Sequence, residues 1–187
     1  MRKANNVRYD IYKHFGDNYR YALGKNENGK ETLFCIGINP STANSEETDT
    51  TITKVENITY RKGKAKKIDF KEKFDSFVML NIYPLRATDP RNLPCRVDRS
   101  KHEENIKIIM ELIKDNSVIW VAWGNLIHSR NWLGDCLTDI ILRIKNEKKG
   151  IKWVKMGKLT VENEPKHPSR VKYQPFSEYD IKMKLNK

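Results

Sequence analysis

The chain has 187 residues, 38% of them hydrophobic, and a formal net charge of +12. This length suits a single domain, predicted over residues 1–187, and the positive charge favours polyanions as partners. No apolar run approaches the roughly 20 residues of a membrane span, and residues 1–10 lack the apolar core of a signal peptide, so a cytoplasmic protein without a membrane partner is expected.

The first predicted elements are two strands joined as an N-terminal β-hairpin. Residues 17–24 and 31–38 both have strand-like composition, and the turn-forming residues 26–29 separate them. Residues 46–60 predict a helix only weakly, because threonine is a poor helix former. Residues 76–81 follow as a short apolar run that is typical of a buried strand.

The second half of the chain alternates helices and strands. Ser100 and Glu103 form a capping box, and apolar residues follow at helical spacing: Ile106, Ile109, Met110 and Ile113. Residues 117–123 predict a central strand and residues 151–156 a last strand. The helix between them is marked by Leu133, Leu137, Ile140, Ile141 and Ile144. This order predicts an α/β fold, a three-layer α/β/α sandwich with a mostly parallel central sheet.

Several common chemistries have no signature in this chain. It contains neither of the glycine-rich phosphate-binding motifs, G-x-x-x-x-G-K-[ST] and G-x-G-x-x-G, nor the G-x-S-x-G nucleophile motif. The four histidines have no metal-ligand spacing with one another or with the cysteines Cys35, Cys95 and Cys136. Neither a metal nor a cofactor is therefore implied, and the cysteines are expected to be reduced structural thiols.

Four short motifs lie at or near the ends of predicted strands. They are residues 37–41 (GINPS), Leu80-Asn81, Trp123-Gly124 and residues 167–169 (HPS). In open α/β sheets, ligands bind at the carboxyl ends of the strands. The four motifs are therefore predicted to converge on one pocket, although they lie far apart along the chain.

The motifs GINPS, LN, WG and HPS, in this order, resemble those of the uracil-DNA glycosylase superfamily. They span residues 37–169, and the resemblance implies a uracil-DNA glycosylase-like fold with a pocket for a nucleobase. The activity that it implies is hydrolysis of the N-glycosidic bond between a base and its sugar.

A second resemblance covers nearly the whole chain. Residues 19–21 (YRY), INPSTAN followed by Asp49 and Thr51, residues 86–90 (RATDP), Trp123-Gly124 and residues 167–170 (HPSR) resemble a bacterial and phage domain-of-unknown-function family. That family carries no established activity, so the functional expectation rests on the chemistry at the strand ends.

The glycosylase resemblance assigns roles to individual residues. Asn39 would position the attacking water, Asn81 would bind the edge of a pyrimidine-like base, and His167 would hydrogen-bond the base oxygen as negative charge grows. Asp49 is an alternative general base, or else a helix cap. Further substrate-binding positions are Ile38, Pro40, Ser41, Tyr83 as a stacking ring, Trp123, Gly124 and Ser169. Structural alternatives stay open: an Asn39-Pro40 turn, a strand-capping Asn81 and core packing of Tyr83 and Trp123.

Basic residues form the candidate contact surface for nucleic acid. Residues 61–73 hold a cluster of positive charge, and a second excess lies in the C-terminal tail. Predicted phosphate contacts are Arg61, Lys62, Lys64, Lys66, Lys67, Arg86, Arg170 and Lys172. A solvated lysine-rich surface and, for Arg86, a surface salt bridge are the alternatives. Val171 stands where the glycosylase motif has an apolar wedge, which favours single-stranded or unpaired DNA, or a nucleotide, over intact duplex.

Two classes of function stay open on the sequence. One is an enzyme, a glycosylase-like hydrolase that acts on a base in DNA or on a free modified nucleotide. The other is a DNA- or RNA-binding accessory protein that has kept the pocket without the catalysis. Asn39, Asn81 and His167 favour the enzyme, whereas an amide in place of a carboxylate and the poor wedge favour the accessory protein.

Overall fold

The structure, a computed structural model, describes residues 7–26 and 29–185. Seven strands form one sheet: β1 Ile11–Phe15, β2 Tyr19–Lys25, β3 Thr32–Gly37, β4 Ser76–Asn81, β5 Val118–Val121, β6 Lys152–Met156 and β7 Phe176–Glu178. The three α-helices are α1 Thr50–Thr59, α2 Arg99–Leu112 and α3 Asn131–Glu147. Short 3₁₀ segments include Gly63–Lys67, Asn125–Ser129 and Pro168–Arg170.

The sheet is mixed, with the strand order β1-β2-β4-β3-β5-β6-β7. The four central strands β4, β3, β5 and β6 run parallel. The pairs β1–β2, β2–β4 and β6–β7 are antiparallel. The α/β class is therefore confirmed, whereas a mostly parallel sheet is correct only for the centre. Antiparallel pairs need no helical crossover, so the short strands at both edges join in that way.

The predicted hairpin between residues 17–24 and 31–38 is wrong. Strand β4 lies between β2 and β3, with Leu80 paired to Ala22 on one side and to Ile36 on the other. The N-terminal hairpin is instead β1–β2, in which Tyr12 pairs with Leu23. Strand β3 is buried from Leu33 onward, as expected of a central parallel strand rather than a hairpin arm. Glu27 and Asn28 of the predicted turn lie outside the described residues.

The helices lie on both faces of the sheet, which gives the three layers that were expected. One apolar cluster joins Ile52 and Val55 of α1 to Met79 and Trp120. The other joins α2 and α3 to the opposite face, and it includes Ile109, Leu133, Leu80 and Val121. Successive residues of β4 and β5 thus alternate between the two clusters, because strand side chains alternate between faces.

Aspartates begin two of the helices. The Asp49 carboxylate accepts a hydrogen bond from the Ile52 backbone N–H at 2.8 Å and caps α1. Asp98 caps α2 in the same way, accepting from the backbone N–H groups of Ser100 and Lys101. The predicted capping box is therefore wrong: α2 begins at Arg99, so Ser100 and Glu103 both lie inside the helix, and Asp98 supplies the cap.

Candidate functional site

A cavity of about 780 Å³ opens at the carboxyl ends of the central strands. Strand β4 lies on one side of β3 in the sheet, and β5 and β6 lie on its other side. The cavity therefore lies at the point where the strand order reverses, which is where open α/β sheets bind ligands. Its volume lies within the range of small-molecule sites.

The structure brings most of the predicted site residues to this cavity. The wall includes residues from all four strand-end motifs and from the start of α1: Ile38, Asn39, Ser41, Asp49, Asn81, Trp123, Gly124, His167, Ser169 and Arg170. Residues that are far apart in the sequence thus share one space, because their strands end at the same edge of the sheet.

Pro40 and Tyr83 do not line the cavity. Tyr83 is buried in the opposite core, where its ring meets Trp132 edge-on at 4.8 Å between centroids. The Asp98 backbone N–H donates to the Tyr83 hydroxyl at 3.2 Å, and burial raises the pKa of that hydroxyl. The predicted stacking role of Tyr83 is therefore wrong. Pro40 shapes the neighbouring loop, since its carbonyl accepts from the Ala87 backbone N–H at 2.9 Å.

Asn81 ends β4 with a side chain that has no hydrogen-bond partner in the part of the chain that the structure describes. The residue is fully buried, and within the described part of the chain neither amide atom forms a hydrogen bond. Its backbone carbonyl is held at 2.9 Å by the Asn105 side chain. Gly37 of β3 pairs with Asn81 in the sheet. A side chain at residue 37 would collide with Met79, because a Cβ on Gly37 would lie 2.6 Å from Met79 Cε. A buried orphan amide costs stability, so it needs an explanation at this position.

The side-chain amide of Asn39 has a fixed orientation. Its Nδ2 donates to the carbonyls of Ala87, at 2.6 Å, and of Pro40, at 3.1 Å. These two bonds leave Oδ1 as the acceptor of this group. Asn39 therefore both shapes the loop after β3 and presents one oxygen that can hold a water or a donor.

His167 is set up as a neutral hydrogen-bond donor. Its Nδ1 accepts from the Ser169 hydroxyl at 2.9 Å and from the Ser169 backbone N–H at 3.4 Å. This arrangement assigns the proton to Nε2. Burial lowers the pKa of His167 to about 4; the Asp49 charge opposes this shift, and Arg170 adds to it. The ring is thus uncharged near neutral pH and carries one N–H.

Asp49 serves the helix and the cavity at the same time. Only Oδ1 takes part in the cap of α1, and the residue also lines the cavity. Its charge acts on two other residues of the wall, His167 and Arg20, where it opposes the larger lowering of the pKa by burial. The helix-cap alternative is therefore correct, and it leaves Oδ2 for another role.

Arg20 is a wall residue to which the sequence assigned no role. Arg20 is the second residue of β2 and is 2% exposed. Its Nη1 donates to the Ala43 carbonyl at 2.6 Å. Its Nε has no acceptor among residues 7–26 and 29–185. Burial lowers its pKa to about 10; Arg86 adds to this shift, and Asp49 opposes it. An arginine inside an otherwise apolar strand was the signal that could have found it.

Trp123 packs in the core and forms part of the wall. Its indole N–H donates to Glu164 at 2.8 Å, and this carboxylate is fully buried. Glu164 also pairs with Lys184, and with His128 at 3.0 Å. The Gly124 backbone N–H donates to the Pro165 carbonyl at 2.9 Å. These contacts anchor the segment that leads into His167.

Two of the predicted phosphate contacts are structural. Arg86 donates to the carbonyls of Ser41, at 2.7 Å, and Ala43, at 3.0 Å, and to the Tyr12 hydroxyl at 2.7 Å. Arg61 donates to the carbonyls of Phe70 and Glu72. Both guanidinium groups brace loops in this structure, and the predicted phosphate contacts of Arg61 and Arg86 stay predictions.

The other predicted basic residues point to solvent. All six of these residues are exposed: Lys62, Lys64, Lys66, Lys67, Arg170 and Lys172. Lys62 Nζ lies 3.7 Å from Glu56 Oε1. Burial lowers the pKa of Lys54, and the charge of Lys64 lowers it further. Lys54 Nζ donates to the Val171 carbonyl at 2.6 Å. Helix α1 is therefore joined through Lys54 to the segment that holds Arg170. Val171 itself is buried and is no wedge.

Two further properties bear on the kind of site. Within residues 7–26 and 29–185, no group of three His, Cys, Asp or Glu side chains has the arrangement of a metal site. None of the described helices has the length and apolarity that a membrane crossing requires.

Fold and cavity together define an α/β protein with a small-molecule-sized polar site at the switch point of its sheet. The family model described as a protein of unknown function, DUF1643, matches residues 20–169, and the chain belongs to this family. No curated protein and no solved structure matches the chain.

Proposed function

We propose that the protein binds an unpaired, damaged or modified nucleobase in this cavity, as a uracil-DNA glycosylase-like protein acting on nucleic acid or on a nucleotide. The observation that carries the proposal is the buried Asn81 amide, whose donor and acceptor both lack partners in the described chain. A pyrimidine-like edge offers the complementary acceptor and donor. A ligand of this kind explains why an otherwise costly group is kept at the end of β4.

The cavity also supports hydrolysis of the bond between base and sugar. In this reaction water adds to the anomeric carbon, and the carbon–nitrogen bond breaks with its electron pair going to the base. The neutral His167 would donate from Nε2 to the oxygen on which that charge collects. Asn39 Oδ1 would hold the water, and Asp49 would take its proton.

The basic surface supports a polyanionic ligand. Lys54 of α1 donates to the Val171 carbonyl, the charge of the exposed Lys64 acts on Lys54, and Arg170 belongs to the cavity wall. Such a surface adds affinity for phosphates without reading sequence, and its contribution falls as salt rises. The buried Val171 favours bases that are already unpaired, because a base in a duplex has to be displaced by an inserted side chain.

Oligonucleotides carrying uracil, hypoxanthine, hydroxymethyluracil or a mismatch test both parts of the proposal. Each is incubated with the protein as a single strand and as a duplex, bound fractions are measured, and abasic sites are cleaved with alkali. Asp49→Asn removes the proton acceptor but keeps a residue that caps helices well. Asp98→Asn is the matched control, because it changes the corresponding cap of α2, and Asp98 is not part of the cavity wall.

Cleavage that is lost in Asp49→Asn and retained in Asp98→Asn supports hydrolysis. Base-dependent binding without cleavage of any substrate rules out the hydrolase and leaves a base-binding accessory protein. If the modified base changes neither binding nor cleavage, the proposal itself is refuted.

A further inference from the structure

The cavity wall has an excess of positive charge. Its cationic side chains are Arg20, Lys166 and Arg170, and Asp49 is its one carboxylate among the described residues. His167 adds no charge near neutral pH, because its pKa lies near 4. A neutral base alone would supply no negative charge to balance this excess of positive charge.

Arg20 is the most buried of these cations. No carboxylate in the described parts of the chain lies within ion-pair distance of its guanidinium, and the hydrogen bond from Nη1 goes to a neutral carbonyl. Nε has no acceptor among the described residues, although Arg20 is only 2% exposed. Charged groups are costly to bury unless they are paired and hydrogen-bonded. The missing partner therefore has the chemistry of an anion.

The start of α1 faces the same space. Thr50 and Thr51, the first two residues of this 10-residue helix, line the cavity. The first N–H groups of an α-helix have no partner within the helix, and among the described residues the Asp49 side chain accepts from the Ile52 N–H alone. Free N–H groups and the helix dipole favour an anion at this position.

We propose that the cavity contains a phosphate subsite, formed by Arg20 and the N-terminus of α1, beside the position of the base at Asn81. This inference rests on the proposed function and narrows its substrate class: the ligand is a nucleotide unit with base, sugar and phosphate, not a bare base or nucleoside. The phosphate belongs either to a free nucleoside monophosphate or to the backbone of a single strand.

Calorimetry on the unmodified protein compares nucleosides with their 5′-monophosphates for uracil, thymine and hypoxanthine. The phosphate is expected to tighten binding about tenfold or more, since hydrogen bonds to charged groups contribute about 1.5–3 kcal/mol. Equal affinity of nucleoside and nucleotide overturns the phosphate subsite and leaves the base pocket intact. If neither binds, inorganic phosphate decides: saturable binding that Arg20→Gln removes keeps the subsite and refutes the base pocket, and no binding refutes both.

Two variants separate recognition of the phosphate from bracing of the loop. Arg20→Gln is expected to lose the nucleotide advantage and to keep the affinity for nucleosides. Arg86→Gln is the matched control, because Arg86 also donates to the Ala43 carbonyl but does not line the cavity. The inference is overturned if Arg20→Gln keeps the full advantage, or if Arg86→Gln loses it equally. If Arg20→Gln does not fold, the comparison on the unmodified protein decides alone.

A trinucleotide with the preferred base at its centre distinguishes the two sources of phosphate. Tighter binding of the trinucleotide supports a subsite for the strand backbone. Tighter binding of the monophosphate supports a subsite for a free nucleotide. Trinucleotide and monophosphate affinities no better than that of the nucleoside overturn the subsite.

Discussion

Replacing Asn81 by leucine is expected to stabilise the protein and to abolish recognition of the base. The two side chains have similar size and shape, so the change removes the polar atoms without opening a large void. Asn81 is fully buried, and neither of its amide atoms has a partner in the described chain. The substitution therefore removes a desolvation penalty from the folded state and loses no hydrogen bond.

The size of the effect follows from that penalty. A buried donor or acceptor without a partner costs about 1–3 kcal/mol. We expect the free energy of unfolding to rise by about 1–2 kcal/mol, since some fit is lost when a branched side chain enters a packed site. For a domain of this size, the corresponding rise in Tm is about 2–8 °C.

Asn105→Leu is the matched control for this prediction. Asn105 is equally buried, but its Nδ2 donates to the carbonyls of Asn81, at 2.9 Å, and Ile82, at 3.2 Å. Loss of these bonds leaves two carbonyls without this donor, and removal of Asn105 Oδ1, which has no partner in the described chain, offsets part of the cost. Stability is therefore expected to fall by about 1 kcal/mol. Urea unfolding of both variants, with binding of the base-containing oligonucleotide measured in parallel, gives the comparison.

A fall in Tm for Asn81→Leu would refute this reasoning. It would mean that the amide is satisfied in the free protein, for example by water in the cavity, and is not held ready for a ligand. Retained base binding in a folded Asn81→Leu variant would refute the recognition role. A stabilised variant without binding is the combination that only a preorganised recognition group predicts.

Three further predictions concern pH, salt and the anchoring of the wall. The pKa of His167 is lowered from an ordinary 6.5 to about 4, so the unfolded chain binds the proton first as pH falls. The free energy of unfolding therefore decreases as pH falls from 6.5 to about 4, and His167→Gln should flatten this decrease. The exposed lysines after α1 are Lys64, Lys66 and Lys67. Replacing all three by glutamate should reduce the slope of log K against log salt concentration, for binding to single strands, by up to about two, at roughly 0.7 per phosphate contact. Glu164→Gln should destabilise the fold by about 3 kcal/mol, because it leaves the buried Lys184 without its anion, and a second change, Lys184→Met, should restore most of the loss.

Each of these measurements has a control on the same chain. His14→Gln is the control for the same substitution at an exposed histidine outside the cavity wall. Charge reversal at Lys145 and Lys149, which are exposed near the end of α3, reports the effect of net charge alone. A salt slope that falls equally in both lysine variants argues against a specific surface. A stable Glu164→Gln variant argues against the anchoring role of that carboxylate.

The sequence predicted the central strands and two of the helices better than it predicted how the strands pair. Strands β3, β4 and β5 are short apolar runs, and such runs show burial but not which strand lies beside which. Strand β2 therefore seemed to pair with β3, although β4 lies between them. Strands β1 and β7 were missed, because each is short and exposed at the edge of the sheet, where the apolar signal is weakest.

The strand-end residues were predictable because their position follows from the type of fold alone. Residues that act through distant partners were not. Arg20 contacts Ala43 and Glu164 contacts Trp123 across loops whose paths the sequence pattern does not specify. Tyr83 shows the same limit at short range: it is two residues from Asn81, but the chain leaves the strand between them and sends its ring into the opposite core.

Three residues with an unsatisfied buried polar atom line one cavity, which supports a binding site there. Five more such residues lie elsewhere in the described chain: His102, Asn105, Trp120, Ser129 and Tyr179. Arg20, Asn81 and Asn125 each carry a buried polar atom without a partner in the described chain, and all of them line the same cavity. The residues that hold the wall from behind, such as Arg86 and Glu164, have well-paired polar groups. Stability alone favours pairing in both places. The cavity differs from the other places in that three such residues share one open space and Asn81 leaves both amide atoms unpaired, as expected where the missing partner is a ligand.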